Sequence, residues 1–380
     1  MGEIGKAFVG IVVAIVSGTS VSAPAAPLAA AGTVPGGWSV VTAPSPGSAQ
    51  NTLFGITAMP AGGVWAVGDR VSPSSPRFIA PLVEHWTGSR WVARVLPGEQ
   101  TNLLAAFAPA RHSLWAVGFF RVGIGAFETV PVIDHLNGRT WTIAPSPRLD
   151  AAVLTGIGGT SGTDIWAIGR QMVPDAAVSI IEHYDGHAWT RVTSPSPVTE
   201  YLDLVAITAI SPSDVWVAGD YRGSDSVFRT LVEHYDGHTW SIVPSPNLGQ
   251  GSNYLAGLTV LDGQPWAVGR ADDGASYRPL ALQWTAAGWS GHMLPRSGSG
   301  DEALNAAVTV GHTLWAVGSR TNADGTQRTL TMRYRNHVWA IATSPNLGRH
   351  DNVLYGAVPS GKIVWAVGNA TTKALTIRRP

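Results

Sequence analysis

The chain has 380 residues, with 25 basic and 25 acidic side chains and no cysteine. Zero formal charge argues against a general electrostatic affinity for nucleic acid or anionic lipid, and the lack of thiols excludes disulfides, thiolate metal sites and a cysteine nucleophile. Charged residues make up 13% against an ordinary value near ~25%, while 44 glycines and 26 prolines suit many short strands joined by tight turns.

The first segment reads as a secretion signal. Lys6 stands in a short polar lead, an apolar run follows from Ala7 to Val16, and small residues continue through Ala31. Ala29-Ala30-Ala31 before Gly32 has the A-x-A form of a cleavage site, with Ala23-Pro24-Ala25 as a second candidate. Residues 1–31 are therefore expected to be a signal peptide and 32–380 the mature, extracytoplasmic chain. The apolar run falls short of the ~20 residues that cross a bilayer, so no stable membrane anchor is expected.

From residue 64 onward one string recurs seven times: VWAVG (64–68), LWAVG (114–118), IWAIG (165–169), VWVAG (215–219), PWAVG (265–269), LWAVG (314–318) and VWAVG (364–368). Its tryptophans, Trp65, Trp115, Trp166, Trp216, Trp266, Trp315 and Trp365, are 49 to 51 residues apart. Such a period marks a solenoid, propeller or array. Each unit contains four short apolar segments. The fourth unit shows them as LVAIT (204–208), VWVAG, LVEHY (231–235) and TWSIV (239–243), with Asp236-Gly237 as a hairpin signal.

A second series, Trp38, Trp91, Trp141, Trp189, Trp240, Trp289 and Trp339, marks the fourth segment. Trp38 precedes every WAVG copy, and no tryptophan follows the last. The chain thus begins with an orphan fourth strand and ends with an orphan third strand. Joined, they complete a seventh blade and leave no open sheet edge between the two ends. The predicted fold is all-β, a single-domain seven-bladed β-propeller of four-stranded blades, closed by pairing of the N-terminal outer strand with the C-terminal strands. Small residues at Gly55, Ala106, Gly156, Ala206, Gly257, Ala306 and Gly356 mark the innermost strand, where the ring is crowded. The repeat tryptophans are read as structural, packing between blades.

The unit D-V-W-x-x-G … L-V-E-H-Y-D-G-x-x-W … P-S-P-N (214–247) resembles the repeat of secreted bacterial propeller proteins of largely unassigned function, and is loosely similar to kelch and Asp-box repeats. The resemblance covers residues 38 to 379. It departs from kelch in lacking the glycine doublet, and from the Asp box in contracting its motif to Asp185-Gly186 and Asp236-Gly237. The Asp-box likeness would imply sialidase-like catalysis. A galactose-oxidase-like copper site needs a cysteine joined to tyrosine, which this chain lacks.

Four acid–histidine pairs occupy third strands: Glu84-His85, Asp134-His135, Glu182-His183 and Glu233-His234. Adjacent strand residues face opposite ways, so one pair cannot clamp one ion. The corresponding later positions are Leu282, Met332 and Ile377. This suggests a half-buried carboxylate accepting hydrogen bonds from a neighbouring blade, with an indole N–H as a possible donor.

Long loops after WAVG and the Pro-rich links are expected on one face of the disc, where binding residues concentrate. Arg70, Arg121, Arg170, Arg222, Arg270 and Arg320 follow the WAVG glycine and could together hold a carboxylate, sulfate or phosphate. The alternative pairs them with Asp69, Asp220, Asp225, Asp272 or Asp273. Asn51, Asn102, Asp203, Asn253, Asp301 and Asn352 enter the inner strand, either as binding groups at the channel mouth or as strand-starting Asx-turns. Exposed aromatics are expected at Phe119, Phe120, Phe127, Tyr221, Phe228 and Tyr277. Glu128, in the divergent loop from Phe119 to Val130, is a candidate one-off functional residue.

No G-x-S-x-G, H-E-x-x-H, Walker or dinucleotide motif occurs in its required context, and no cofactor or metal is expected. The sequence reading is a secreted, monomeric binding or scaffold module whose partner is carbohydrate or an extracellular protein. The alternative is a propeller enzyme of lyase or glycoside hydrolase type with its site at the channel mouth. Asymmetry between blades separates the two: an active site needs one-off residues converging from different blades, whereas a multivalent binder tolerates equivalent pockets.

Overall fold

A computed structural model describes residues 35, 37–47, 49–60, 62–71, 79–96, 100–123, 128–197 and 199–380. The expected signal peptide lies outside them. The described residues form seven four-stranded antiparallel sheets. Six are consecutive in sequence, at 51–95, 101–143, 152–191, 202–242, 253–293 and 302–342, and are numbered here as blades 1 to 6. Blade 7 joins 352–379 to the N-terminal strand Ser39–Val40, which pairs with the last strand through Ser39↔Arg378 and Val40↔Ile377. The ring closes as the two orphan strands require.

Within a blade the four strands run outward in chain order. Blade 4 consists of Leu202–Ser211, Asp214–Arg222, Phe228–Tyr235 and Trp240–Ile242. First strands of successive blades pack on one another around the ring, which makes them the innermost. A Cβ added to Gly55 or Gly257 would come within 2.7 or 2.9 Å of the Cα of Ala105 or Ala306 in the next blade, so the crowding at this position is real.

Every first strand also carries a β-bulge immediately after its leading leucine, for example between Leu204 and Ala206 and between Leu255 and Gly257. The bulge presses the first strand against the second, because the extra residue bends the chain. At all seven WAVG glycines a Cβ would collide with a first-strand carbonyl: Thr52 for Gly68, Asn102 for Gly118, Val153 for Gly169, Asp203 for Gly219, Tyr254 for Gly269, Ala303 for Gly318 and Val353 for Gly368. The glycine of the repeat is the counterpart of the bulge.

The two tryptophan series meet between blades. Trp65, Trp115, Trp166, Trp216, Trp266, Trp315 and Trp365 each stand edge to face against the fourth-strand tryptophan of the following blade, with centroids 5.4 to 6.4 Å apart. Offset or edge-on aromatic pairs of this kind contribute about 0.5–1.5 kcal/mol beyond the area they bury. In blades 1 to 4 the third-strand histidine stacks on the WAVG tryptophan of its own blade. Asp164 and Asp214 complete two of these units: the Asp214 carboxylate lies 2.8 Å from both the Trp216 indole N–H, which donates to it, and the His234 Nε2.

Two expectations are corrected. The acids beside those histidines are fully buried rather than half-buried at Glu84, Glu182 and Glu233, and Asp134 is nearly so. Among the described residues no indole donates to Glu84, Glu182 or Glu233. Strand alternation turns the acid away from the histidine and its tryptophan, toward the preceding blade. The fourth-strand indole on that side is turned onto the preceding blade's tryptophan. Glu233 accepts its hydrogen bond from the Ser194 hydroxyl at 2.6 Å, while neither carboxylate oxygen of Glu84 or Glu182 has a partner among the described residues.

In blades 3 to 7 the segments after WAVG are also shorter loops than expected. Second strands continue to Val173, Arg222, Asp272, Thr321 and Ala370, and third strands begin at Ala176, Phe228, Tyr277, Gln327 and Lys373. Hairpins of two to five residues remain. Their polar composition reflects strand ends standing at the mouth of the disc, where side chains meet water, rather than irregular chain.

Candidate functional site

The first residue after each WAVG glycine lies beside the first strand of the next blade. In blades 3 to 5 these positions are Arg170, Asp220 and Arg270. Here the copies stop agreeing. Arg170 forms an ion pair with Asp203, which begins the first strand of blade 4. Asp203 is in turn the cross-strand partner of Asp220. Arg270 acts electrostatically on Asp220 from blade 5 and lies over the rings of Tyr254 and Tyr277, at 4.4 and 4.8 Å. Arg170 lies 5.3 Å from the ring centroid of Tyr201. Tyr201 also interacts with Asp203, and Phe228 packs between Tyr201 and Tyr254. Three consecutive blades thus contribute two arginines, two aspartates and three tyrosines to one cluster near the start of the inner strands.

Burial shapes its electrostatics. Asp203 is 4% exposed and Asp220 7%. Desolvation raises the carboxyl of Asp203, against the pull of Arg170 and Tyr201, and holds Asp220 well above the ordinary carboxylate range, where the charge on Asp203 adds to the effect. Tyr201 and Tyr254 are likewise raised by burial, so both hydroxyls keep their protons at neutral pH. Cross-strand neighbours have Cβ atoms about 5 Å apart. Two carboxyls so placed and so dry disfavour each other's ionisation.

A smaller polar contact lies between blades 1 and 2. Asn102 donates to Asp69 at 2.5 Å, and burial pushes the Asp69 carboxyl up to about 7, opposed by Arg121 and Asn102. In blade 7 Tyr355 packs on Phe54 with ring centroids 5.3 Å apart and planes tilted by 49°, and burial raises it to about 12.

The six arginines singled out by sequence do not form one ring. Arg170 and Arg270 directly follow the glycine, Arg70 and Arg320 stand one residue later, and Arg121 and Arg222 two residues later. Alternation along the strand therefore sends Arg70 and Arg320 to the opposite face. Arg222 pairs with Glu200 at 3.1 Å, Arg121 lies over Phe119, Arg70 stands opposite Asn51 and Arg320 opposite Glu302. The alternative pairings differ as well: Asp225 is held by Arg229 and Asp273 by Arg296.

Three of the asparagines clamp the links between blades. Asn51 accepts from the backbone N–H of Gly47, Asn253 from that of Leu248 and Asn352 from that of Leu347, at 2.7 to 2.8 Å. Asp301 accepts from the Tyr277 N–H of the preceding blade. Only Asn102 and Asp203 of this group join the polar contacts at the mouth. Glu128 is exposed, and its carbonyl accepts from Val122. Phe119 and Phe228 are buried rather than exposed, and Phe127 lies outside the described residues.

Sequence reasoning missed Tyr201 and Tyr254, and took Asp220 only as a surface partner for arginine. The available signal was alignment of the residue after each WAVG glycine with the residue before the leading leucine of the next blade.

No helix among the described residues is long and apolar enough to cross a membrane. No family model matches the sequence, and no curated protein matches it. Solved structures do match in fold. A polysaccharide lyase, an ulvan lyase bound to a repeat of glucuronic acid and sulfated rhamnose, superimposes with a TM-score of 0.53 at 10% identity, over 87% of this chain and 94% of its own. The Trypanosoma rangeli sialidase in complex with sialic acid gives 0.49 at 12% identity over 92% of this chain, which spans 60% of the sialidase. The Penicillium chrysogenum α-L-arabinanase complexed with arabinobiose gives 0.48 at 12%, over 89% and 97%. At 10% identity the likeness to the lyase supports the propeller fold alone.

Proposed function

We propose that the protein is an extracytoplasmic propeller enzyme that binds a carbohydrate at the channel mouth over blades 3 to 5 and cleaves it by acid–base chemistry. One observation carries this reading: Arg170, Asp203, Asp220 and Arg270 converge from three blades, and although Asp69 of blade 1 is the counterpart of Asp220, no other blade places an arginine directly after the WAVG glycine. Equivalent pockets around the ring, which a multivalent binder would use, are not what these positions offer. In this reading Asp220 keeps its proton and acts as the general acid, while Asp203, ionised beside Arg170, is its charged counterpart. The fold shared with the ulvan lyase makes polysaccharide the first substrate class to examine. Cleavage after residue 31 to release the propeller belongs to the same proposal.

The test is product release from a panel of neutral and acidic polysaccharides, followed by new reducing ends and by the ultraviolet absorbance of unsaturated ends. Wild-type activity that falls at least about a hundredfold in Asp220→Asn supports the proposal; undiminished activity in that variant rules Asp220 out as the acid. A second reading follows from the arginines being more open than the acids, 17% exposed at the Arg170 side chain against 6% at Asp203. The aspartates would then only hold Arg170 and Arg270 in place for binding. Saccharide binding by wild type with no product from any substrate would establish that version.

A further inference from the structure

We infer that the face of the disc opposite the mouth docks a second copy of this chain, because its charges are sorted into two sectors that complement each other. The contact is independent of the proposed activity, since it leaves both mouths pointing outward. It takes the place of the monomer expected from the sequence.

Neighbouring strands run in opposite directions, so the turns between first and second strands and between third and fourth strands share this face. Among the described residues every acid in or next to these turns belongs to blades 3 to 5: Asp164, Asp185, Asp214, Asp236 and Asp262. Every arginine and lysine there belongs to the other blades: Arg90 in blade 1, Arg111 and Arg139 in blade 2, Arg335 in blade 6 and Lys362 in blade 7. These cations are exposed, and none forms an ion pair among the described residues. The acids find no arginine or lysine either; their ion-pair partners are His183, His187, His234 and His312.

The charges close to these turns do not blur the division. Arg378 and Arg379 end the last strand of blade 7 in the basic sector and more than offset a carboxylate at Pro380. Arg333 of blade 6 adds to them and acts electrostatically on Arg379. In the acidic sector Arg191 turns away from the face, toward Gln171 and the Ser179 carbonyl. Glu84, Asp134, Glu182 and Glu233 are buried within their strands.

The arrangement of the sectors selects the partner. The acidic sector is centred on blade 4, and the basic sector on the boundary between blades 7 and 1, directly opposite in a ring of seven. A two-fold axis lying in the face, along the line that divides the sectors, turns a second copy over and sets its basic half on the acidic half of the first. The same operation repeats the match in reverse, as an isologous contact requires. A uniformly charged partner would be attracted by one half and repelled by the other. Single exposed ion pairs contribute little, but here both halves of the face act together. The exposed aliphatic side chains of Ile210 in blade 4 and Val338 in blade 6 add apolar surface, one in each sector.

Sedimentation equilibrium of the mature chain at about pH 8, above the ordinary imidazole range, should show monomer and dimer and nothing larger. Raising salt from about 0.1 M to about 1 M shortens the screening length from about 10 Å to about 3 Å and should weaken the dimer at least about tenfold. Two variants each reverse one sector, Arg90→Glu with Lys362→Glu and Asp185→Lys with Asp236→Lys. Each alone should be monomeric where wild type is dimeric, because like charges then face each other across the axis. An equimolar mixture should dimerise again, since the two reversed sectors match and so do the two untouched ones. A wild type that stays monomeric, stacks into open-ended oligomers or forms a dimer indifferent to salt overturns the inference, and none of these measurements needs a variant. Failure of the mixture to dimerise, when both variants keep the wild-type melting temperature, overturns it as well.

Discussion

Trp216 in blade 4 and Trp289 in blade 5 stand almost perpendicular, with ring centroids 5.5 Å apart and planes at 84°. Trp284 covers a second side of Trp216 at 4.9 Å, and His234 stacks against it at 4.1 Å. The indole is thus the common contact of two blades. Trp216→Ala is expected to cost about 3–5 kcal/mol, the range for emptying a large aromatic site. Thermal unfolding followed by circular dichroism should show the loss, with no selective effect on saccharide binding at temperatures where the variant is folded. An unchanged melting temperature with lost binding would place Trp216 in the ligand site instead.

The WAVG glycine makes a different demand. At Gly269 the obstacle to a side chain is the Tyr254 backbone carbonyl, which cannot swing aside as a flexible side chain would. Gly269→Ala should therefore destabilise by about 1–3 kcal/mol or more through overpacking, although it adds a single methyl group. Gly263→Ala is the useful contrast. Its φ is +78°, and nothing stands within 4 Å of an added Cβ, so only the left-handed backbone is penalised. Chemical denaturation should rank Gly269→Ala as the more damaging. Equal effects would mean that the bulge relaxes freely.

The buried acids of blades 1 to 4 set a pH dependence. Burial pushes Glu84 up to about 8, Glu182 and Glu233 to about 7 and Asp134 to about 6. Each folded value lies above its unfolded one. Below the unfolded values both states hold the proton and the groups make no difference. As pH rises past about 4.5 the unfolded chain releases its protons first, so folding is progressively disfavoured until the folded carboxyls ionise near 6 to 8. Melting temperature should fall between about pH 5 and about pH 8. Glu182→Met, which introduces the residue found at the equivalent Met332, should flatten that slope. A variant that tracks wild type at every pH would show that Glu182 is ionised in the fold.

Closure of the ring has its own cation–aromatic contact. Arg379 occupies the cross-strand position held by Tyr235 and Trp86 in other blades, opposite Val364, and lies 4.5 Å from the Trp315 ring centroid. Arg379→Ala should cost about 1 kcal/mol, while Arg379→Tyr, restoring the aromatic residue of the repeat, should keep the melting temperature. Loss of stability in both variants would assign the contribution of Arg379 to another of its contacts.

The blade count and the ring closure were legible because they depend on period alone, and a 50-residue spacing survives any uncertainty about side chains. Gly55 and its equivalents were readable for a similar reason: crowding at an axis selects size, and size shows in a sequence. The WAVG glycine was seen but not understood, since the bulge it answers leaves no mark beyond the glycine itself. The cluster at the mouth was hidden differently. Arg170 meets Asp203, and Asp220 meets Arg270, across blade boundaries, so partners stand far apart in sequence within copies that otherwise match. Arginines one residue later in the repeat looked equivalent to Arg170, yet strand alternation sends neighbouring positions to opposite faces.

Coupling between Asp203 and Asp220 gives the most direct probe of that cluster. Negative charge on Asp203 is one of the causes that raise Asp220. Removing it in Asp203→Asn should lower the Asp220 carboxyl, although burial still keeps it above the ordinary carboxylate range. If Asp220 is the general acid, the alkaline limb of the kcat/KM profile reports the loss of its proton, and the limb belongs to the pair in wild type. In Asp203→Asn the residual activity should therefore lose its alkaline range first, with the limb displaced toward lower pH, and the acid limb that reports protonation of Asp203 should vanish. Arg170 loses its ion-pair partner in the same variant, so a stability measurement must accompany the profile to show that the mouth is intact. An alkaline limb unmoved in a folded Asp203→Asn protein would mean that the two carboxyls titrate independently, and the coupled account of the site would be abandoned.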